Sequence, residues 1–234
     1  MPAHLVQIFD KEHLKNILAF TTTKYSDIHT IPEFEKYIEK NYPWVNGLHY
    51  LQQIHSTAAI QVYNQGKGTT CYPGYDALYT FDNKEALIIQ TADCLPIFLT
   101  HPPSGFVGLI HAGWRGIYQE IFPSFLKIIK RKHDINLSQL HVEFGPFIRE
   151  CCFEVGEDVK KLFLSRYNEV PDIITSNHIN LQAIILFQCR QFNIPSYQIG
   201  RKPECTVCHK HSYFSYRREG QKTGRLYSVI VRKE

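Results

Sequence analysis

The chain has 234 residues, 44% of them hydrophobic and 21% charged, with a formal net charge of +4. That length suffices for one substantial core, and no run reaches the ~18 consecutive apolar residues of a membrane span. The basic residues gather towards the end (Arg217, Arg218, Lys222, Arg225), which suits an anionic small molecule and gives only a weak footprint for nucleic acid.

The opening MPAHLVQIFDKEHLKN lacks a basic region followed by an apolar core, so no secretory signal is expected and a reducing, cytoplasmic setting is favoured. The first 44 residues carry no motif and read as scaffold. Within them, residues 31–41 (IPEFEKYIEKN) have the pattern of a short amphipathic helix with proline near its start. GLHYLQQIHSTAAIQVY alternates and carries β-branched residues, as one or two strands would. Three apolar strand-like runs follow: DALYTF, ALIIQTADCLPIFLT and GFVGLIHAG. The last opens through GWRG into IYQEIFPSFLKIIKRKH, which has helical spacing despite Pro123. HVEFGPFI reads as a strand, and EVGEDVKKLFLSRY as a helix with acidic residues early and basic ones late. LQAIILFQCRQFN is a further helix, and the tail HSYFSYRREGQKTGRLYSVIV reads as a hairpin turning near Gly220–Gly224. No repeat or low-complexity linker divides the chain, so residues 1–234 are expected to form a single α/β (α+β) domain with a largely buried sheet.

Three polar residues interrupt apolar runs or end strands: His55 in QQIHS, Cys94 in TADCLP and His111 in LIHAGWRG. Two imidazoles and a thiolate suit zinc, and three protein ligands leave a fourth position for water or substrate. The same residues also fit a buried cysteine and two hydrogen-bonded histidines, because spacings of 39 and 17 residues do not show that they meet. In HAGWRG, Gly113 and Gly116 would let the backbone turn and approach a ligand closely. Arg115, at the start of a helix, is placed for an anion; a surface arginine in a strand-to-helix turn is the plainer alternative. Asp76 (GYDALYT) and Asp93, next to Cys94, are the carboxylates expected near the site, to orient a ligand or move a proton; Asp76 could equally cap a turn, and Asp93 could point away from its neighbour.

Seven cysteines (71, 94, 151, 152, 189, 205, 208) at irregular spacings argue against a disulfide framework. Cys205-Thr-Val-Cys208-His209 has the spacing of a haem attachment or half a zinc site; reduced thiols beside a loop are the preferred reading. Cys151-Cys152 reads as packing, since adjacent residues of one element face opposite ways.

Together these segments resemble the family variously called laccase-domain, polyphenol-oxidase or purine nucleoside phosphorylase proteins, the YfiH-like family. From about residue 45 onward the resemblance rests on QIHS, GYDALYT, TADCLP, HAGWRG, GPFIRECCFEVGEDV and CTVCHKHSYFSYRREGQKTGRLYSVI, in that order. It implies a sandwich of mixed β-sheets flanked by helices, similar to cytotoxic necrotizing factor catalytic domains. It also implies zinc on His55, Cys94 and His111, with copper as the alternative metal. The implied activity is phosphorolysis of adenosine, inosine, guanosine or methylthioadenosine, with adenosine deamination beside it. Catalytic roles then fall to Cys94, His111, Arg115 and Asp76, and substrate contacts to Arg115, Phe153 and Arg217. The partners are a small-molecule purine nucleoside and phosphate, with no nucleic acid and no membrane; monomer and homodimer both stay open. Phe153 stands where tyrosine is common in the family, Arg149-Glu150 replace smaller residues, and Asn180 stands where aspartate often precedes leucine.

Three other readings compete. A Cys94–His111 hydrolase acting on cell-wall precursors needs a metal-free thiolate. A copper-dependent polyphenol oxidase would want further histidines or a methionine ligand, and the chain's one methionine is Met1. A zinc-stabilised binding module would close its site with a fourth protein ligand.

Overall fold

The computed structural model describes residues 5–9, 14–200 and 203–234. Two short strands, β1 (Leu5–Gln7) and β2 (Ile17–Thr22), precede helix α1 (Ile31–Asn41). Thr30 and Glu33 form a capping box at its start, with proline in the first turn, where a missing N–H costs nothing. The helix buries Phe34 and Ile38, and the Phe34 ring stacks on Tyr227 at 5.0 Å. Then come β3 (Gly47–Gln52), β4 (Ala59–Gln61), β5 (Gly68–Pro73), β6 (Ala77–Thr80), β7 (Glu85–Thr91), β8 (Leu95–His101) and β9 (Phe106–Ala112).

A break at Glu120, with φ of 65°, divides the expected long helix into α2 (Trp114–Tyr118) and α3 (Ile121–His133). Pro123 consequently lies in a first turn and breaks nothing. Next are β10 (His141–Phe144), α4 (Glu157–Tyr167), β11 (Ile174–Thr175), β12 (His178–Ile179), α5 (Leu181–Gln191), α6 (Tyr216–Glu219) and β13 (Leu226–Arg232). Asn180 caps α5 by accepting from the Ala183 N–H, as an aspartate would, so that departure from the family pattern is conservative.

The strands form two mixed sheets and a two-stranded ribbon of β11 and β12. The first sheet runs β1-β2-β13-β7-β3-β5 and the second β10-β8-β9-β6-β4. β3 is parallel to β5 and β7, and β4 to β6; the other pairs are antiparallel. The sheets pack face to face through Leu78, Leu87, Ile89, Phe98, Leu109 and Ile230. Helix α1 covers the outer face of the first sheet, and α3 and α5 that of the second. This is the expected sandwich of mixed sheets flanked by helices. Because β7, β8 and β9 are covered on both sides, they read as continuous apolar runs rather than alternating ones. Each fully buried Leu, Ile or Phe there contributes about 1.5–3 kcal/mol of transfer free energy.

Two expectations fail. ALIIQTADCLPIFLT is not one run but two strands in different sheets, broken where Asp93 takes φ of 91°. The tail is no hairpin: residues 216–222 coil into short helical turns, and β13 inserts between β2 and β7 at the centre of the first sheet. Among the described residues no helix is long and apolar enough to cross a membrane.

Candidate metal centre and active-site pocket

The strand ends bring His55, Cys94 and His111 together. His55 lies in the loop after β3, Cys94 immediately precedes β8, and His111 is the penultimate residue of β9. Their ligand atoms all fall within 4.8 Å of one another, and Cys94 Sγ is 3.8 Å from His55 Nε2. Sulfur and nitrogen bound tetrahedrally to one zinc ion would be about 3.5 Å apart, so the spacing accommodates an ion with small adjustment. Burial falls from His111 (3% exposed) through half-buried Cys94 to exposed His55, so the trio has a buried back and an open front.

Asp76, fully buried just before β6, organises this arrangement. One carboxylate oxygen accepts from His111 Nδ1 at 2.8 Å and from the His55 backbone N–H at 3.0 Å. The other accepts from the Ser56 N–H at 2.6 Å and the Ser56 hydroxyl at 2.8 Å. These bonds hold His55 in a left-handed conformation (φ 61°) that costs a non-glycine residue about 1 kcal/mol or more. Burial works against ionisation of Asp76, but the His111 and Ser56 donors bring its pKa down to about 2. Burial likewise opposes the Cys94 thiolate, yet the His111 and His55 imidazoles lower its pKa to about 6. Against burial, Cys94 and Asp76 raise His111 to about 9. The site therefore favours a thiolate, the form that binds a metal or attacks an electrophile.

Gly113 matters for space, not for turning: its φ is −70°, but a Cβ there would sit 2.6 Å from His55 Cδ2 and 3.2 Å from Cys94 Sγ. A Cβ on Gly116 would make ordinary contacts, with the Ser56 carbonyl at 3.4 Å and Ile121 Cγ2 at 3.5 Å.

The trio lines a cavity of about 980 Å³, together with Arg115, Phe153, Arg217 and Arg225. Arg115 lies in a five-residue helix, too short for a substantial dipole, so its use to an anion rests on the guanidinium itself, stacked on Trp114 at 4.3 Å. Arg217 donates to the Cys152 and Glu154 carbonyls and lies 5.6 Å from the Phe153 ring centroid. Phe153 is buried in the cavity wall. Arg225 was visible in the sequence only as part of a basic tail.

Of the tail aromatics, Tyr216 alone lines the cavity; Tyr213 is buried on Glu204, and Phe214 packs beside Lys24 and His29. The carboxylate of Asp93, expected to serve the trio, turns to the tail instead, accepting from Thr206 Oγ1 at 2.5 Å, Ser215 Oγ at 3.0 Å and the Arg217 N–H at 2.7 Å. It fixes Arg217 rather than a metal ligand. Cys151 and Cys152 are not packing residues facing apart. They sit in a turn, and both thiols approach Cys208.

A family profile described as "Multi-copper polyphenol oxidoreductase laccase" matches residues 34–233. The chain is 31% identical over 195 residues to the purine nucleoside phosphorylase YlmD of Geobacillus stearothermophilus, covering 78% of this chain and 71% of that protein. It is 32% identical over 166 residues to adenosine deaminase RL5 of an unknown prokaryotic organism, covering 68% of this chain and 63% of that protein. In fold it is similar to the crystal structure of Geobacillus YlmD, with a TM-score of 0.84, 24% identity, and 98% of this chain and 97% of that chain covered. It is equally similar to Bacillus licheniformis YfiH, with a TM-score of 0.85, 23% identity and 97% of each chain covered. The chain belongs to this laccase-like, YfiH-type family, and it is an enzyme.

Proposed function

We propose that the chain is a zinc-dependent enzyme that processes purine nucleosides, by phosphorolysis of adenosine, inosine, guanosine or methylthioadenosine or by deamination of adenosine. The observation that carries this reading is the trio of His55, Cys94 and His111 on the wall of a cavity that three arginines also line. Relatives named as purine nucleoside phosphorylase and adenosine deaminase support the substrate class. Among the described residues, one other group of His, Cys or acidic side chains comes close enough to hold a metal, and it is all cysteine. The N₂S donor set, which among the described residues gathers no further histidine, favours zinc over a multicopper centre.

His55, Cys94 and His111 would hold the zinc, which would supply Lewis-acid chemistry there. Asp76 keeps the His111 ring oriented by holding Nδ1. Arg115 and Arg217, with Arg225 beside them, bind phosphate at the cavity mouth, and Phe153 supplies an apolar wall for the base. We read residues 1–234 as one domain, in keeping with the family profile over 34–233 and the core shared by both sheets. Seven free cysteines fit a reducing, cytoplasmic setting.

Chromatographic product analysis of zinc-loaded protein given adenosine, with and without phosphate, tests the reading. Adenine and ribose-1-phosphate formed only with phosphate identify a phosphorylase, and inosine in both conditions a deaminase. No turnover of adenosine, inosine, guanosine or methylthioadenosine by folded, zinc-loaded protein overturns it.

One arrangement favours a second reading, a cysteine hydrolase: Cys94 and His111 present their sulfur and ring nitrogen within 4.8 Å of each other, and the imidazole lowers the pKa of the thiol. Metal on the thiolate would block that chemistry, so the two readings exclude each other.

A further inference from the structure

The trio and the pocket leave a second group of reactive side chains unused. Cys151 and Cys152 lie in a turn closed by the Cys152 and Phe153 N–H groups donating to the Arg149 carbonyl, each at 2.8 Å. Cys205 and Cys208 flank a turn in the C-terminal segment. The segments meet through the Thr206 N–H, which donates to the Phe147 carbonyl at 3.0 Å, and the Phe147 N–H, which donates to the Glu204 carbonyl at 3.4 Å.

The four sulfurs all lie within 4.8 Å of one another, and Cys208 Sγ is 3.4 Å from Cys152 Sγ and 3.6 Å from Cys151 Sγ. Four thiolates bound tetrahedrally at about 2.3 Å from zinc would have sulfurs about 3.8 Å apart. A disulfide joins two sulfurs at about 2.05 Å and leaves the other two without a role. The arrangement here is a cluster of four sulfurs, and Cys208 favours neither neighbour strongly.

The surroundings suit a zinc tetrathiolate, which carries two net negative charges. Arg217 donates to the Cys152 carbonyl at 3.2 Å, and Arg218 to the Thr206 and Val207 carbonyls at 2.9 and 3.0 Å, so one guanidinium braces each ligand turn.

We propose that Cys151, Cys152, Cys205 and Cys208 form a second zinc site, structural and closed by four thiolates, distinct from the open His55–Cys94–His111 trio. Binding replaces four S–H protons, released to solvent, with four Zn–S bonds, and no group is oxidised or reduced. The ion staples the turn leading to Phe153 against the segment leading to Arg217, so a site outside the pocket sets the position of two of its walls.

The test is metal content, measured by mass spectrometry on protein purified under reducing conditions. Wild type should hold about two zinc ions, and a His55→Ala/His111→Ala variant should retain about one. That remaining ion should be released by about four equivalents of a thiol-specific mercurial. Cobalt in its place should give intense sulfur-to-cobalt charge transfer with the visible bands of a tetrahedral site. Cys151→Ser/Cys208→Ser, which changes two exposed positions, should abolish the signal in the histidine variant's background. Failure of that variant to fold in the reduced state while the histidine variant folds and holds its ion also supports a structural metal. A histidine variant that folds without zinc, with its four thiols free or with a Cys151–Cys208 or Cys152–Cys208 disulfide on peptide mapping, overturns the proposal.

Discussion

Asp76 accepts the Nδ1 proton of His111 at 2.8 Å, and this bond fixes which nitrogen of the ring is left for a metal. An ionised carboxylate can only accept, so Nδ1 must carry hydrogen and Nε2 faces Cys94 and His55. The same carboxylate takes backbone N–H groups from the loop bearing His55. Two of the three trio residues are thus positioned by one buried side chain 21 and 35 residues away from them in sequence.

Asp76→Asn keeps the shape but removes the charge and turns one of two accepting oxygens into an N–H donor, which must face either His111 and His55 or Ser56. An amide presented to His111 satisfies the ring less well and allows the wrong tautomer, so zinc affinity should fall by about 10–100-fold. Competition with a chromophoric chelator measures this, and unchanged affinity would mean that Asp76 serves only the loop.

Gly113→Ala places a methyl group against the His55 ring. The exposed ring should swing aside before the buried strand moves. Zinc binding and turnover should therefore fall about tenfold or more, with little change in melting temperature. Parallel melting and zinc titrations separate this from general destabilisation.

Arg115 makes its aromatic contact on the surface of a short helix, so Arg115→Ala should leave stability nearly intact. Losing a charge-assisted bond to phosphate costs about 1.5–3 kcal/mol, which is roughly a 10- to 100-fold rise in KM for phosphate. Initial rates at varied phosphate check it; an unchanged KM would place the anion elsewhere.

Glu219 ties the tail to the N-terminal half. It accepts from Lys24 Nζ at 2.7 Å, from Arg218 at 2.7 Å and from Thr223 Oγ1 at 2.9 Å. Burial opposes its ionisation, but these donors lower its pKa from 4.5 to about 2. A lowered folded-state pKa means that the stabilisation is complete above about pH 4.5 and is lost as pH falls towards about 2. Because the group is partly exposed, the contribution at neutral pH is about 1–2 kcal/mol. Urea unfolding of wild type and Glu219→Gln at several pH values should show that gap above pH 5 and its closure in acid.

The trio was legible because each member breaks a strongly apolar or alternating segment at a point where a strand ends. Asp76 was legible as a carboxylate near the trio, though not as the group that positions both His55 and His111. What stayed hidden depended on tertiary contacts. Asp93 and Cys94 are neighbours in sequence, but the positive φ at Asp93 sends its carboxylate to Ser215 and Thr206, more than a hundred residues on. The four-cysteine cluster escaped because adjacency was read by strand geometry, whereas Cys151 and Cys152 occupy a turn. The tail looked like a hairpin because β13 is a good strand, but its partners, β2 and β7, are far away in the chain. Local pattern revealed the strand and not its pairing.

The most direct test of the central claim is turnover by one protein preparation stripped of metal and then reloaded. Protein dialysed against a strong chelator, with folding checked by circular dichroism, is assayed on adenosine with phosphate before and after zinc is restored. A matched sample is alkylated at Cys94 while stripped. The account predicts negligible turnover without zinc, recovery on its return, and no recovery after alkylation. Full turnover by the stripped protein, abolished by alkylation, would contradict it and leave Cys94 as a nucleophile.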